Sequence, residues 1–471
     1  MTPAQRRRSA RGAAGPRRHA TPTQARALAL RILERVERSG AYADLTLRHA
    51  LGRSGLAPRD RAFVTDLVYG TLRWQGRLDF ALATVSERPL DALEPSVRTL
   101  LRMGAYQILI QTGVPASAAV DQSVRCAKSN GLERAAGFVN AVLRQLVRRA
   151  DQIEYPAVET DPVGHLTHAL SIPAWIAAAW IDALGIDEAV DLAKASNDPP
   201  PIVARANPQR TNRDALLAEL RERLPNAAAS AHAPLGVELG HEGNPGLDPA
   251  FIEGRMTIQD QASQLIVDFL DPQPGDRVLD LCAAPGTKTT AIAERVGPGG
   301  HVLAVDRNAR RLELVGQACR RLGLSNVTTL ERDATTALED LVGRVGGPFD
   351  RILVDAPCSG LGTLRRNADA RWRVTPEDPA SLAETQRQLL ARALHVLGPG
   401  GTLVYSTCTV WPEENEAVVA AVLADEDTDD GIMSGGDVPD AVAPFMCDDG
   451  FFRSWPHRHG TDGFFAARLT R

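Results

Sequence analysis

The chain has 471 residues, a formal net charge of −5 and 44% hydrophobic residues. This length predicts two or three domains with a large core, and the composition is ordinary for a soluble protein. No apolar run approaches the roughly 18 residues of a transmembrane helix, and the arginine-rich start lacks the apolar core of a secretory signal, so we expect a cytoplasmic protein. The six cysteines show no short paired spacings, which argues against a disulfide framework and a zinc cluster, and we expect no metal.

The first 150 residues divide into a tail and a helical region. Residues 1–22 carry arginines and no acid, which predicts a disordered basic tail that either solubilises the chain or attracts RNA phosphates. From residue 23 to 150, apolar residues recur at helical spacing, as at Leu28, Ile32 and Val36, and predict an all-α domain.

Residues 151–255 mix two patterns. Ile202 to Ala206 alternates like a strand, whereas Asp214 to Leu224 has helical periodicity, so we predict a small α/β connecting domain. Arg205 and Asn207 either contact RNA or are structural, and a structural strand is the simpler interpretation.

The region 256–471 is organised around the stretch from Val278 to Thr289. An apolar run ends in Asp280, breaks into a turn of small residues and continues as a helix pattern. This order opens a nucleotide-binding α/β unit, in which backbone N–H groups and a helix N-terminus approach the ligand. The stretch matches neither a Walker loop nor the G-x-G-x-x-G pattern of nicotinamide enzymes. Residues from Met256 to Ser263 are expected to open a helix just before this strand.

Four further strand patterns alternate with helices after this turn, so we predict a parallel, doubly wound sheet. Two phenylalanine-rich segments, around Phe452 and Phe464, predict a terminal antiparallel strand pair. Ligands of such sheets bind outside the carboxyl ends of the strands. Six polar residues follow predicted strands and indicate one shared site: Asp280, Asp306, Asp333, Asp355, Cys358 and Cys408.

Five motifs resemble those of the bacterial 16S ribosomal RNA cytosine-5 methyltransferase B family, which belongs to the S-adenosylmethionine-dependent RNA 5-methylcytosine methyltransferases. The motifs are Gln259-Asp260-Gln261-Ala262-Ser263, the stretch from Asp280 to Thr289, Asp355-Ala356-Pro357-Cys358-Ser359-Gly360, Tyr405-Ser406-Thr407-Cys408-Thr409 and Asp462-Gly463-Phe464-Phe465. The resemblance covers the chain from about Ala25 to its end. Thr287 stands where the family usually has a second glycine, and Ala368 replaces a common proline.

The resemblance implies an N-terminal NusB-like RNA-binding domain, a connecting α/β domain and a Rossmann-like methyltransferase domain. It implies methyl transfer from S-adenosylmethionine to C5 of a cytosine in small-subunit (16S) ribosomal RNA, by a monomer. Two alternatives are a transfer RNA cytosine-5 methyltransferase and a non-catalytic RNA-binding factor in ribosome assembly.

C5 of cytosine is a poor nucleophile until a thiolate adds to C6, so the chemistry needs a cysteine beside a methyl donor. Cys358 and Cys408 are the candidates, and spacing does not choose between them. The resemblance favours Cys408 as nucleophile, with Cys358 assisting product release and Asp355 binding the cytosine edge.

The resemblance also assigns the cofactor site. Asp306 would bind the ribose hydroxyls, Asp333 would lie near the adenine, and Asp355 would border the cofactor. The methionine part would lie in the turn of Cys282, Ala283, Ala284, Pro285, Gly286, Thr287 and Lys288. Four arginines around Trp372 (Arg365, Arg366, Arg371 and Arg373) are expected to bind RNA. The acidic, glycine-rich segment near 425–440 is predicted to be a disordered loop.

Overall fold

The computed structural model describes residues 24–240, 244–424 and 431–471. The predicted basic tail, 1–22, and the acidic residues 425–430 lie outside these ranges. The chain forms two compact units, the first ending at Tyr155 and the second beginning at Pro156. Within the described ranges, no helix is long and apolar enough to span a membrane.

The first unit is helical, as predicted. Pro58 and Pro95 each occupy the first turn of a helix, where the missing N–H costs nothing. Gly70 allows close packing, because a Cβ there would lie 2.0 Å from the Tyr106 ring. The helices are α1 (Gln24–Ser39), α2 (Ala43–Gly52), α3 (Pro58–Arg73), α4 (Gln75–Ala83), α5 (Pro95–Leu109), α6 (Ala116–Ser129) and α7 (Ala136–Arg149).

The second unit begins with short helices and a small antiparallel sheet in the order β2-β3-β1-β4. Its elements are α8 (Pro162–Gly164), α9 (Ala174–Leu184), α10 (Ile186–Ala195), β1 (Val203–Ala206), α11 (Arg213–Arg221), β2 (Ala228–Ala229), β3 (Gly236–Glu238), α12 (Pro249–Ile252) and β4 (Met256–Ile258). The helix expected from Met256 begins only at Gln261, because Met256–Ile258 pairs with β1 and completes this sheet.

A larger sheet follows, in the order β10-β12-β9-β8-β5-β6-β7, with β11 paired to β12. The strands from β5 to β9 are mutually parallel, and β12 adds antiparallel to β9. The strands are β5 (Arg277–Leu281), β6 (His301–Asp306), β7 (Val327–Glu331), β8 (Phe349–Asp355), β9 (Leu397–Thr407), β10 (Met433–Ser434), β11 (Phe452–Ser454) and β12 (Phe464–Thr470).

Helices cover both faces of this sheet, so its central strands are apolar on both sides. Val278 and Val302 belong to one core, and Leu279 and Leu303 to the other. The first face carries α13 (Gln261–Leu270), α14 (Thr287–Val296) and α15 (Ala309–Leu322). The remaining helices are α16 (Glu339–Arg344), α17 (Ala370–Arg373), α18 (Asp378–His395), α19 (Glu416–Leu423) and α20 (Pro456–His459). This doubly wound arrangement places Asp306, Asp333, Asp355, Cys358 and Cys408 at the carboxyl ends of the parallel strands.

Candidate active site

A cavity opens at the carboxyl ends of the parallel strands. Cys282, Asp306 and Asp333 line it, as expected of residues that follow β5, β6 and β7. Sequence reasoning missed several other lining residues: Arg307, Arg311, Arg332, Thr335, Pro357, Thr385 and Leu389. Arg307 could have been predicted as a lining residue, because it directly follows Asp306 in the sequence. Thr385 could not, because it lies in the middle of α18.

The turn after β5 has an unusual backbone. Cys282 and Gly286 both have positive φ, at 62° and 104°. A Cβ at Gly286 would lie 3.0 Å from the backbone of Val315, so glycine is needed there for conformation and for space. Thr287, by contrast, is the first residue of α14. The departure from a second glycine is therefore compatible with this turn, because a helical position does not need one.

Acidic groups surround the turn. Asp280 is fully buried and accepts a hydrogen bond from Thr289 Oγ1 at 2.6 Å. Its Oδ1 has no partner among the described residues, and burial raises the pKa of Asp280 to about 7. Asp306 accepts the N–H of Ala284 at 3.2 Å and that of Asn308 at 2.9 Å. These carboxyl groups and the arginines that line the cavity offer a ligand both acceptors and donors.

Asp333 differs from these buried acids because it is exposed. Its carboxylate accepts hydrogen bonds from Thr335 Oγ1 at 2.7 Å and from the Thr335 N–H at 3.0 Å. These bonds lower the pKa of Asp333, so it stays ionised. At the rim of the cavity, it is available as a hydrogen-bond acceptor.

Lys288 and Asp355 form an ion pair across the site. Lys288 Nζ lies 2.7 Å from Asp355 Oδ2 and 5.0 Å from the centre of the Phe464 ring. Ser406 Oγ donates to the other carboxylate oxygen at 3.0 Å. Residues of α14, β8, β9 and β12 thus meet at one carboxylate, which is held in a fixed orientation.

The two candidate cysteines lie side by side at the ends of β8 and β9. Their sulfur atoms are 3.3 Å apart, and the Cys408 N–H donates to Cys358 Sγ at 3.3 Å. The hydrogen bond to Cys408, together with burial, raises the pKa of the Cys358 thiol well above its ordinary value. A protonated Cys358 can therefore donate its S–H to a thiolate on Cys408.

Glu414 fixes the two cysteine segments to each other, a role that no motif indicated. It is fully buried and accepts from the Ser359 N–H at 2.8 Å and from Gln386 Nε2 at 3.1 Å. Ser359 and Thr409, the residues that follow the cysteines, share a hydrogen bond of 2.9 Å. Burial raises the pKa of Glu414. The spacing between the cysteines therefore rests on a buried polar network.

The arginine-rich segment around Trp372 makes contacts within the second unit. The burial of Arg371 excludes it from RNA contact, whereas an RNA contact of Arg366 and Arg373, which are partly exposed, stays a prediction. Arg371 is fully buried and donates to Asn197 Oδ1 and to the carbonyls of Ser171 and Ser196. Arg366 bridges Asp260 and Asp462 at 2.6 and 2.7 Å. Arg365 donates to the Gly460 carbonyl at 2.7 Å, and Arg373 pairs with Asp369 at 2.7 Å. These cations hold the second unit together, and the charge pattern alone did not reveal the burial of Arg365 and Arg371.

Arg205 and Asn207 are structural, as the simpler interpretation held. Asn207 is buried and donates to the carbonyl of Gly254 at 2.9 Å. Arg205 pairs with Glu294 at 3.1 Å and donates to the carbonyl of Thr287 at 2.8 Å. This arginine therefore connects the small sheet to the first turn of α14, beside the cavity.

Comparisons with known proteins agree with this architecture. Residues 267–470 match the family described as "16S rRNA methyltransferase RsmB/F". A protein of Synechocystis named "Probable ribosomal RNA small subunit methyltransferase B" is 37% identical over 451 residues, which are 95% of this chain and 99% of that protein. The chain belongs to the RsmB/F family. The resemblance drawn from the five motifs is thereby confirmed.

The other regions of this RsmB/F family member also match known domains. Residues 23–148 match the NusB family, and residues 172–244 match the ferredoxin-like domain of RsmF/B-like methyltransferases. The Ribosomal RNA small subunit methyltransferase B of Pseudomonas putida is 37% identical over 366 residues, 78% of this chain and 81% of that protein. The crystal structure of the protein PH0851 superposes with a TM-score of 0.78 at 26% identity, covering 96% of this chain and 99% of that one. The predicted fold class is confirmed.

Proposed function

We propose that this protein transfers a methyl group from S-adenosylmethionine to C5 of a cytosine in small-subunit ribosomal RNA. The observation that carries the proposal is the pair of thiols 3.3 Å apart, Cys358 and Cys408, at the sheet edge that also holds the cavity. A protein that only binds RNA needs neither thiol at this place. Membership of the RsmB/F family supports the ribosomal RNA substrate, and the NusB-family domain supports RNA binding.

The cavity fits S-adenosylmethionine by charge and by hydrogen bonding. The molecule is cationic at its sulfonium and amino groups and anionic at its carboxylate. The cavity is lined by Asp306 and Asp333 and by three arginines, Arg307, Arg311 and Arg332, so groups of both signs are present. The buried Oδ1 of Asp280 has no partner among the described residues, and a ligand atom there would complete its hydrogen bonding. Asp306 would accept from the ribose hydroxyls and Asp333 would lie near the adenine. Bound there, the molecule would supply an electrophilic methyl carbon to the electron pair of C5.

The protein's own groups would make C5 reactive. The Cys408 thiolate adds to C6 of the cytosine, forming a C–S bond and turning the ring into an enamine with electron density at C5. Asp355, oriented by Lys288 and Ser406, accepts a hydrogen bond from the exocyclic amino group of the base. After methylation, a base removes the C5 proton, its electron pair re-forms the C5–C6 double bond, and the sulfur of Cys408 leaves. Cys358 assists this elimination from its position beside Cys408.

The test compares wild type, Cys358→Ala and Cys408→Ala on denaturing gels after incubation with S-adenosylmethionine and small-subunit RNA. Cys358→Ala is expected to accumulate a covalent protein–RNA adduct, because elimination is slowed, and Cys408→Ala is expected to form none. The reverse pattern would make Cys358 the nucleophile. Methylation of transfer RNA in place of ribosomal RNA would make transfer RNA the substrate. The absence of both methyl transfer and covalent adduct would favour the non-catalytic assembly factor.

A further inference from the structure

A second cavity, of about 170 Å³, lies beside the segment that follows Cys408. Buried Thr409, Asn415 and Phe464 form its floor, and exposed Ala183 of α9 lies at its rim. One water molecule takes up about 30 Å³ of liquid, so the space is large enough for a heteroaromatic ring. Nothing in the proposed chemistry uses this cavity.

Two polar groups at the cavity have no hydrogen-bond partner among the described residues. Trp455 is 9% exposed and offers its Nε1–H donor, and Glu416 offers the acceptor Oε2. Arg453 donates from Nε to the other Glu416 oxygen at 3.1 Å, so the carboxylate is held in place with its charge balanced. Buried polar groups are normally paired. A ligand that carries both a donor and an acceptor would satisfy the two groups.

We propose that this cavity binds a nucleobase that neighbours the target cytosine in the RNA, and so positions that cytosine at Cys408. The proposal rests on the proposed function. Every nucleobase presents both a donor and an acceptor on its Watson–Crick edge, and the rings of Trp455 and Phe464 offer apolar contact to its faces. The free Oε2 of Glu416 accepts from an amino group, and Arg453 at the cavity is already engaged by Glu416, which favours a base over the RNA backbone. Thr409 directly follows Cys408, so the cavity adjoins the proposed reaction centre.

The test uses the variant Ala183→Trp, in which the larger side chain fills the cavity from its rim. The matched control is Ala178→Trp, an exposed position on the same helix outside the cavity. Once the methylated cytosine is mapped with wild type, synthetic RNA strands around it are made with one abasic site at each neighbouring position. KM for RNA and KM for S-adenosylmethionine are measured for each protein.

We expect one abasic position to raise the wild-type KM for RNA about tenfold, in keeping with the loss of a stacked base. Ala183→Trp should raise the KM for intact RNA similarly and become insensitive to that abasic position, whereas Ala178→Trp should behave as wild type. Trp455→Phe, which removes the Nε1–H donor and part of the ring surface, should reduce the sensitivity to that position.

Three results would overturn the proposal. The first is that wild type tolerates every abasic site, and the second is that Ala183→Trp leaves the KM for RNA unchanged. The third is that Ala183→Trp raises the KM for S-adenosylmethionine instead, which would make the cavity part of the cofactor site. Failure of the proposed function is distinguishable, because wild type would then methylate no cytosine in small-subunit ribosomal RNA.

Discussion

The buried ion pair between Arg205 and Glu294 provides a quantitative test of how the small sheet supports the cavity. The two side chains are 2% and 1% exposed. Arg205 also donates to Thr290 Oγ1 at 3.2 Å and to the Thr287 carbonyl at 2.8 Å. Arg205→Ala removes these bonds and leaves a carboxylate buried without its cation. Removing one partner of such a buried pair lowers the free energy of unfolding by about 3–5 kcal/mol. Removing one partner of an exposed pair lowers it by only about 0–1 kcal/mol.

The assay is urea unfolding of the full chain followed by tryptophan fluorescence. The matched control is Arg213→Ala, because Arg213 pairs with Asp214 while the side chains are 35% and 80% exposed, and its cost should stay below about 1 kcal/mol. A double variant, Arg205→Met with Glu294→Leu, should recover most of the loss, since no charge stays buried. An Arg205→Ala protein as stable as Arg213→Ala would refute the reasoning.

The pH dependence of the stability of Arg205→Ala gives a second check on the same reasoning. Burial already raises the pKa of Glu294 above its usual 4.5 despite Arg205, and loss of the guanidinium raises it further. Native Arg205→Ala therefore keeps a proton that the unfolded chain releases above about pH 4.5. Its deficit relative to wild type should grow as the pH rises from about 5, and a deficit that shrinks would contradict this account.

Three shorter predictions concern the site itself. Gly362→Ala should abolish methyl transfer and lower the free energy of unfolding, because its Cβ would lie 2.0 Å from the Gly463 carbonyl oxygen. Both quantities are measured on the same protein preparation. Lys288→Met should leave Asp355 without its cation and raise the KM for RNA about tenfold or more, in steady-state kinetics; an unchanged KM would remove Asp355 from substrate binding. Asp280, whose pKa is raised to about 7, holds a proton in the native state that the unfolded chain releases near pH 4, so wild type should lose stability relative to Asp280→Asn as the pH rises from about 4 to 7 in urea titrations.

The sheet and the location of the site could be predicted because they depend on local patterns. Apolar runs mark the strands, and polar residues directly after them must meet at one edge of a parallel sheet. Asp306 and Cys408 could be named on this basis together with the family motifs. Thr385 and Glu414 could not, because their roles depend on how α18 and the segment after β9 pack against the sheet.

Charge patterns were the weaker guide. A cluster of arginines is ordinarily solvated, and its position between two cysteine motifs suggested RNA. Arg371 and Arg205 instead satisfy buried carbonyl and carboxylate groups that are distant in sequence. Such partners are set by tertiary packing, which a linear pattern of charges does not contain.

The bridge formed by Arg366 has a consequence for sequence evolution. Arg366 forms ion pairs with Asp260 in the first motif and with Asp462 in the last. Two motifs about two hundred positions apart are therefore joined by one charged side chain. A neutral residue at position 366 would leave two carboxylates facing each other. Among homologues, substitutions at these three positions should therefore be correlated, and a lineage that loses the arginine should also have lost at least one of the acids.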